Sequence, residues 1–316
     1  MIVGASNLAT SPASQDPATP AETASPTPAE TSQTPAEELA RLSGYGPTSP
    51  VAQAQYRLDL VAHWPLRAGA RVLELGCGQG DTTLALAAAV GPAGHVDAVD
   101  PGPLDYGAPT TLGQAHAVVS AGPLGARIAW VQADPLAFLA AHPEDRWDAA
   151  VLAHSLWYFA SPALIRATLA ALAPRVTHVC VAEWSLEGGA GAAPHVLAVL
   201  AQGALEGRKP AAESEANVRT VVGPARIKAL AGEAGLELRR EARVVPGKGV
   251  HDGQWEVLHA VREEFGAEVE RFVRDERERA GVYAIQDAVK ASVERVGGVR
   301  NVETMDGWVA VFEAKT

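Results

Sequence analysis

The segment that most constrains the fold is a glycine-rich turn that follows a short apolar run. The run covers residues 71–75, the turn reads Gly76-Cys77-Gly78-Gln79-Gly80, and an apolar stretch of helical character follows at 82–90. Glycines permit positive φ angles and close approach of a ligand to the backbone, and a helix start offers unpaired N–H groups. A strand, a glycine turn and a helix in this order predict a binding site for a nucleotide-like ligand.

Strands and helices alternate along most of the remaining chain. Short apolar runs predict further strands at 95–99, 128–132, 147–152, 176–182, 236–245 and 308–312, and helical spacing predicts helices between most of them. This alternation predicts a Rossmann-like α/β fold, in which a parallel sheet carries helices on both faces. Two stretches between the last two strands, 255–280 and 284–296, have helical period and predict a helical insertion.

Composition divides the chain into three parts. Residues 1–43 are rich in Ala, Pro and Thr and poor in large apolar groups, so we predict a disordered tail. The Rossmann-like domain is expected at 44–245 and 305–316. The helical insertion at 246–304 is expected to form a cap over one end of the sheet.

Charge and cysteine content limit the partners. The chain has 316 residues and a formal net charge of −11, which disfavours nucleic acids because they are bound by clustered Lys and Arg. No apolar run approaches the roughly 18 residues of a membrane span, so no membrane partner is expected. The two cysteines, Cys77 and Cys180, lie in apolar runs without metal-ligand spacing. We therefore expect a cytoplasmic protein with no metal, and the sequence leaves a homodimer open.

The spacing of the glycines separates two classes of cofactor. A dinucleotide fingerprint places a small residue third in G-x-G-x-x-G/A, whereas Asp81 follows Gly80 here and gives G-x-G-x-G. A nicotinamide cofactor is therefore disfavoured. With Glu74 in front of the glycines, the segment resembles the first motif of class I S-adenosylmethionine-dependent methyltransferases.

This resemblance implies S-adenosylmethionine as cofactor, S-adenosylhomocysteine as product and an antiparallel last strand. It also implies roles for residues at strand ends. The acid of the motif lies near the methionine amine in that family, the glycines pass close to methionine and ribose, an acid after strand two binds the ribose hydroxyls, and an acid after strand three contacts the adenine amine. The matching cofactor-binding residues are Glu74, Gly76, Cys77, Gly78, Gly80, Asp100 with Pro101, and Asp134, and Tyr45 lies in a segment that folds over the cofactor in similar enzymes.

Two of these residues have competing interpretations. Cys77 is expected to contribute packing as well as backbone, and Asp134 stands before a proline, where an aspartate often caps a helix. Strand alternation predicts that Asp97 faces elsewhere than Asp100.

The catalytic residues of a methyl transfer are hard to identify from a sequence. Methyl transfer from a sulfonium requires mainly that nucleophile, methyl and sulfur be aligned, and a base only where the acceptor must lose a proton. His154 follows strand four and is the candidate general base, with a helix cap or a bond to backbone as the alternative.

Residues near the same strand ends are candidates for binding the acceptor. Trp157 and Tyr158 could wall an aromatic or cationic group, Glu183 could pair with an amine, and Trp184 and His251 follow strands five and six, the last with Asp252 beside it. The alternative is core packing for Trp157 and Tyr158, a surface ion pair for Glu183, and a solvated loop for His251 and Asp252.

The sequence thus predicts a methyltransferase that acts on nitrogen or oxygen of a small molecule. Two alternatives stay open: a relative of this fold that binds the cofactor but runs another reaction, such as a cyclisation, and a non-catalytic cofactor-binding partner.

Overall fold

In the computed structural model, one seven-stranded sheet has the strand order β3-β2-β1-β4-β5-β7-β6. The structure describes residues 33–45, 50–210, 213–214 and 216–315. The chain divides into residues 1–33 and residues 34–316, and every element below belongs to the second unit. The strands are β1 Arg71–Leu75, β2 His95–Asp100, β3 Ile128–Gln132, β4 Trp147–Ala153, β5 Val176–Trp184, β6 Leu236–Val244 and β7 Gly307–Ala314.

Helices join the strands and cover the sheet. They are α1 Pro35–Leu42, α2 Val51–Val61, α3 Asp81–Ala89, α4 Leu112–Ala121, α5 Pro135–Ala141, α6 Pro162–Leu172, α7 Ala193–Glu206, α8 Pro224–Glu233, α9 Asp252–Val261, α10 Glu263–Phe272 and α11 Glu276–Arg295. None of these helices in the described ranges combines the length and the apolar composition needed to cross a lipid bilayer.

The strand order reverses between β1 and β4. Strand β1 pairs in parallel with β2 on one side and with β4 on the other, and β4 pairs in parallel with β5. Strands β2 and β3 therefore lie on one side of β1 and strands β4 and β5 on the other, which opens a crevice at the carboxyl ends of β1 and β4. Open α/β sheets bind their ligands at such a point.

The Rossmann-like fold and the antiparallel last strand are confirmed. Strand β7 runs antiparallel between β5 and β6. Strand β6 is an edge strand, and most of its middle residues are exposed and charged, among them Glu237, Arg239 and Glu241. Charges on an edge discourage pairing with another chain.

The predicted tail extends too far into the folded unit. Its residues 1–32 lie outside the described residues, but Pro35–Leu42 form helix α1. Thr34 caps this helix through a capping box with Glu37, and Leu39 and Leu42 are buried in the main core. The boundary at residue 43 was wrong because a short helix with a strong cap and few apolar residues resembles low-complexity sequence.

The insertion between β6 and β7 contains three helices rather than two. The predicted helix 255–280 is interrupted at Arg262 and again at Val273, which both have extended backbone, and α11 then runs unbroken through the predicted gap at 281–283. Asp275 starts α11, since its carboxylate accepts from the N–H groups of Arg277 and Glu278.

The insertion packs against α7, which comes from the connection after β5. Two apolar clusters join them: one contains Ala201, Leu205, Phe265, Val269, Val273 and Val282, and the other contains Ala198, Val257, Ala260, Val289 and Val302. We call α7 with α9, α10 and α11 the cap.

Candidate active site

The three glycines between β1 and α3 share positive φ angles but meet different surroundings. A Cβ on Gly76 (φ +83°) would approach Ser155 Cβ to 2.5 Å, and one on Gly80 (φ +93°) would approach Trp130 Cη2 to 2.6 Å. A Cβ on Gly78 (φ +51°) would meet nothing within 4 Å. Gly76 and Gly80 are thus required by packing, whereas Gly78 presents its backbone to open space.

Asp100, at the end of β2, braces this loop. The N–H of Gly78 donates to Asp100 Oδ2 over 2.8 Å, and the N–H of Gly102 donates to Oδ1 over 2.8 Å. Asp97 points elsewhere, as alternation predicts, and accepts from Trp147 Nε1 and from Arg71. The carboxylate of Asp100 therefore fixes the backbone of the glycine loop.

Two cavities meet at the loop and share Gly78, Gln79 and Tyr158. The first, of about 580 Å³ and here called the Asn217 cavity, is also lined by Asp100, Pro101, Gly102, Pro103, Tyr106, Leu112, Ser214, Ala216, Asn217 and Arg219. The second, of about 160 Å³ and here called the Glu183 cavity, is also lined by Arg57, Glu74, Gly76, Cys77, Asp81, Thr82, Ala153, His154, Trp157, Glu183, Trp184, Val218, Asp252 and Glu256.

Two of the carboxyl groups in the Glu183 cavity are fully buried. Burial raises the pKa of Glu74 to about 8, against the hydrogen bond of 2.5 Å that the Thr83 hydroxyl donates to it. Burial likewise raises the pKa of Glu183 to about 8, although its oxygens accept from the N–H groups of Trp184 and Leu156. A cation that enters the cavity would favour the ionised form of both groups.

Of the residues that the structure describes, Arg57 is the single arginine that lines this cavity, and it lies on helix α2. Its Nε and Nη1 atoms are buried, and among the described residues neither has a hydrogen-bond partner. The guanidinium lies 5.4 Å from the centre of the Tyr56 ring. Buried N–H donors without acceptors are costly, so this side chain fits an anionic group of a ligand.

His154 follows β4 in a strained conformation, with φ of +51°. Its Nε2 lies 3.1 Å from the Tyr56 hydroxyl oxygen, and its Nδ1 lies 3.4 Å from Glu183 Oε1 without hydrogen-bond geometry. Burial, followed by the positive charge of Arg57, holds the pKa of His154 well below its usual range. The imidazole is therefore neutral and a weak base.

Aromatic side chains form one wall of the Glu183 cavity. Trp157 is buried and donates its Nε1–H to the carbonyl of Val222, so it also has the packing role that the sequence left open. Tyr158 is half exposed and borders both cavities. Trp184 stacks on Tyr56 with ring centres 5.7 Å apart and lies 4.0 Å from the His154 ring centre.

Four predicted site residues lie outside the two linings: Gly80, Tyr45, Asp134 and His251. Tyr45 reaches the loop indirectly, because its hydroxyl donates to Gln79 Oε1 over 2.6 Å. Asp134 is exposed and caps α5, where its Oδ1 accepts from the N–H groups of Leu136 and Ala137. His251 precedes α9, and its neighbour Asp252 lines the Glu183 cavity instead. Within the described part of the chain, no group of three or more His, Cys, Asp or Glu could hold a metal ion.

Sequence reasoning missed Arg57 and Glu256. Arg57 lies in α2, where the sequence pattern marks no binding residue, and Glu256 lies in the helical insertion. A signal existed for Glu256, since it stands one helical turn after Asp252 and so shares its face of α9. Arg57 offered no such signal.

The glycine loop, the acid after β2 and the crevice at the strand reversal define an α/β protein that binds a nucleotide-like cofactor. A family model for a methyltransferase domain matches residues 34–241. Two curated relatives, methyltransferase phomM and methyltransferase phomM′ of Diaporthe leptostromiformis, are each 30% identical over 283 residues, which cover 77% of this chain and 73% of the relative.

One solved structure shares the fold over most of both chains. A cyclopropane-fatty-acyl-phospholipid synthase-like protein from Lactobacillus casei ATCC 334 is 29% identical, has a TM-score of 0.75, and the match covers 88% of this chain and 98% of that one. The chain belongs to the class I S-adenosylmethionine-dependent methyltransferase family, and the family implies a cofactor of the S-adenosylmethionine type.

Proposed function

We propose that this protein transfers a methyl group from S-adenosylmethionine to nitrogen or oxygen of a small molecule. The observation that carries the proposal is the meeting of the glycine loop, Asp100 and the Glu183 cavity at the strand reversal. The loop and Asp100 suit the cofactor, and the small cavity beside them, bordered by cap residues Asp252 and Glu256, suits an acceptor. The names of both curated relatives are in keeping with methyl transfer.

The residues present fit this cofactor. Gly78 leaves space for close approach to its backbone, Asp100 offers carboxylate oxygens for ribose hydroxyls, and Glu74 lies at the end of β1 for the methionine amine. We add Arg57, whose buried Nε–H and Nη1–H groups lack acceptors among the described residues and suit the methionine carboxylate. When bound, the cofactor supplies an activated methyl group on a positively charged sulfur.

The protein contributes mainly alignment and a dry pocket. The aromatic wall orients the acceptor, and the cap limits the access of water, which strengthens charge interactions inside. His154, predicted as general base, would act poorly as one at neutral pH because its pKa is well below its usual range. We therefore assign His154 a positioning role: it contacts the acceptor, or it fixes the aromatic wall through its contact with Tyr56. Mutation of His154 to Gln would largely preserve this role.

The alternatives differ in what the cavity must hold. A fatty-acyl substrate, as the description of the Lactobacillus casei protein suggests for that protein, needs an extended apolar channel. The Glu183 cavity has carboxyl groups in its lining and a volume of about 160 Å³. A polar small molecule fits this cavity better than an acyl chain does, because burying carboxyl groups against hydrocarbon is costly.

Calorimetry and product analysis test the proposal. We expect the purified protein to bind S-adenosylmethionine and S-adenosylhomocysteine and not NAD. Asp100→Ala should weaken that binding by about 1–3 kcal/mol through loss of charge-assisted hydrogen bonds. Asp105→Ala is the matched control, because Asp105 is exposed in the same loop.

An acceptor screen with mass detection then follows S-adenosylhomocysteine and a product heavier by one methyl group. A phospholipid with an unsaturated acyl chain belongs in the screen as a separate arm. Cofactor binding with no S-adenosylhomocysteine formed from any acceptor would favour the non-catalytic alternative.

A further inference from the structure

The cap contributes two carboxylates to the Glu183 cavity, and neither has yet been given a specific role in binding or catalysis. Asp252 and Glu256 lie one turn apart on α9 and both line the cavity. Gln53 donates to Asp252 Oδ2 over 2.9 Å, and Gln202 donates to Glu256 Oε2 over 2.7 Å. These neutral amides hold the two carboxylates in place without neutralising them.

A second observation at the same cavity points to a ligand. The His154 side chain is only 10% exposed, and its Nδ1 has no hydrogen-bond partner in the described part of the protein. In the tautomer in which Nε2 donates to the Tyr56 hydroxyl, Nδ1 presents a lone pair. A buried lone pair without a donor is costly, and an N–H group of a ligand would satisfy it.

The charges of the lining favour a cation. In the described part of the chain, the lining has five carboxyl groups and one arginine: Glu74, Asp81, Glu183, Asp252, Glu256 and Arg57. If Glu74 and Arg57 hold the methionine end of the cofactor, the excess of acceptors lies toward α9. Trp157 and Tyr158 add aromatic faces, which attract cations. An ammonium would favour the ionised form of these carboxyl groups, whereas a neutral alcohol would not.

We propose that the acceptor is an amine that binds as a cation between Asp252, Glu256 and His154 Nδ1, and that Glu256 is the catalytic base that takes its proton. This inference rests on the proposed function and narrows it to N-methylation. In the proton step, one N–H bond of the ammonium breaks, its electron pair stays on nitrogen, and the proton moves to a Glu256 oxygen. The freed lone pair then forms the N–C bond while the C–S bond of the donor breaks, with its electron pair going to sulfur.

Glu256 is suited to receive this proton. Burial, followed by the charge of Asp252, raises the pKa of Glu256 to about 7, against the hydrogen bond from Gln202. Besides Asp252, the charged or titratable groups that share its cavity are Arg57, Glu74, Cys77, Asp81, His154, Tyr158 and Glu183. An arriving ammonium favours the ionised carboxylate, so amine binding near neutral pH should release a proton from this cluster.

A matched pair of probes tests the inference in calorimetry, with the full chain saturated by S-adenosylhomocysteine. The probes are 2-phenylethylamine and 2-phenylethanol, which differ only in the charged nitrogen. We expect the amine to bind at least about tenfold more tightly than the alcohol. Asp252→Asn and Glu256→Gln should each remove most of this preference, whereas Glu264→Gln, exposed at the start of α10, should leave it unchanged.

Proton release supplies a readout that a structural role would not alter. Titrations in two buffers of different ionisation enthalpy count the protons released as the amine binds. Glu256→Gln should lower this number, and Glu264→Gln should not. Absence of a preference for the amine in the wild-type protein, or an equal preference in Glu256→Gln, overturns the inference. Failure of the protein to bind S-adenosylhomocysteine would instead overturn the proposed function, so the two failures are separable.

Discussion

Gly76, Gly78 and Gly80 are the same residue type in similar backbone conformations, yet each is needed for a different reason. Positive φ strains any L side chain at all three positions. Beyond this strain, Gly76 leaves space for Ser155, Gly80 leaves space for Trp130, and Gly78 borders both cavities. The spacing of the glycines was readable from the sequence, but their separate roles depend on neighbours brought by β3 and by the residues after β4.

Alanine at two of these positions should separate folding from binding. Gly78→Ala should lower the free energy of unfolding by only about 1–2 kcal/mol, the strain of the left-handed conformation. Its affinity for S-adenosylhomocysteine should fall at least about tenfold, because the new methyl group occupies space that the ligand needs. Gly76→Ala adds a clash with Ser155 and should be the less stable protein. Denaturant unfolding and calorimetry of both variants check this, and equal stability of the two would contradict it.

The buried carboxyl group of Glu74 should make the ligand-free protein less stable as pH rises. Its pKa rises from 4.5 in the unfolded chain to about 8 in the native protein. Between these values the native state binds more protons than the unfolded state, so the free energy of unfolding falls with increasing pH. The slope from this group is at most about 1.4 kcal/mol per pH unit.

Glu74→Gln keeps an acceptor for the Thr83 hydroxyl and cannot ionise, so it should remove the part of the slope that Glu74 contributes. The part from Glu183, whose pKa is also raised to about 8, should remain. Urea unfolding at several values between about pH 5 and 8 measures it. Glu264→Gln serves as control because its side chain is exposed. An unaltered slope in Glu74→Gln would show that another group carries the dependence.

Among the elements, helix starts show where local sequence was sufficient and where it was not. Asp134 caps α5, the alternative that the proline after it indicated, and Thr111 caps α4. The interruption at Val273 has no glycine or proline nearby, so the helical period of the charged residues predicted one continuous helix over 255–280. The break arises because the Val273 side chain packs into an apolar cluster with Phe265 and Leu205. The periodicity of the sequence cannot predict this tertiary contact.

Asp134 and Asp275 allow the adenine assignment to be tested against a matched helix cap. Each carboxylate accepts from two backbone N–H groups at a helix start. Alanine at either position should therefore cost about 1 kcal/mol of stability. If Asp134 contacts the adenine amine, only Asp134→Ala should also weaken the binding of S-adenosylhomocysteine, by about 1 kcal/mol. Thermal unfolding and calorimetry on both variants decide this, and equal cofactor affinity would leave Asp134 as a cap alone.

In the whole molecule, the site joins residues that are distant in the chain. The strand ends supplied Glu74, Asp100, His154 and Glu183, and these were predictable because parallel strands bring their carboxyl ends to one edge. Arg57 and Glu256 reach the same cavity from α2 and from the cap. The bond between Gln53 and Asp252, 199 residues apart, shows how those two elements meet. Such pairings depend on how helices dock, which no single motif specifies.

The cap should fold together with the sheet, because α7 belongs to both. Val199 of α7 packs in the main core, while Ala201 and Leu205, on the same helix, pack with Phe265 in the cap cluster. Phe265 is fully buried, so Phe265→Ala should lower the free energy of unfolding by about 3–5 kcal/mol. Leu169→Ala, fully buried in α6, is the matched substitution in the main core, with an expected loss of about 2–5 kcal/mol.

Hydrogen exchange read by peptide distinguishes a joint from a separate cap. If α7 couples the two parts, Phe265→Ala should first raise hydrogen exchange in α10 and α11. As denaturant is added, exchange in the main core should then rise together with exchange in these helices. A cap that opens alone, with β1 and β4 keeping wild-type protection, would contradict the coupling. In that case S-adenosylhomocysteine should still bind to Phe265→Ala, because the glycine loop does not depend on the cap. The preference for the amine should be lost, because α9 of the cap carries Asp252 and Glu256.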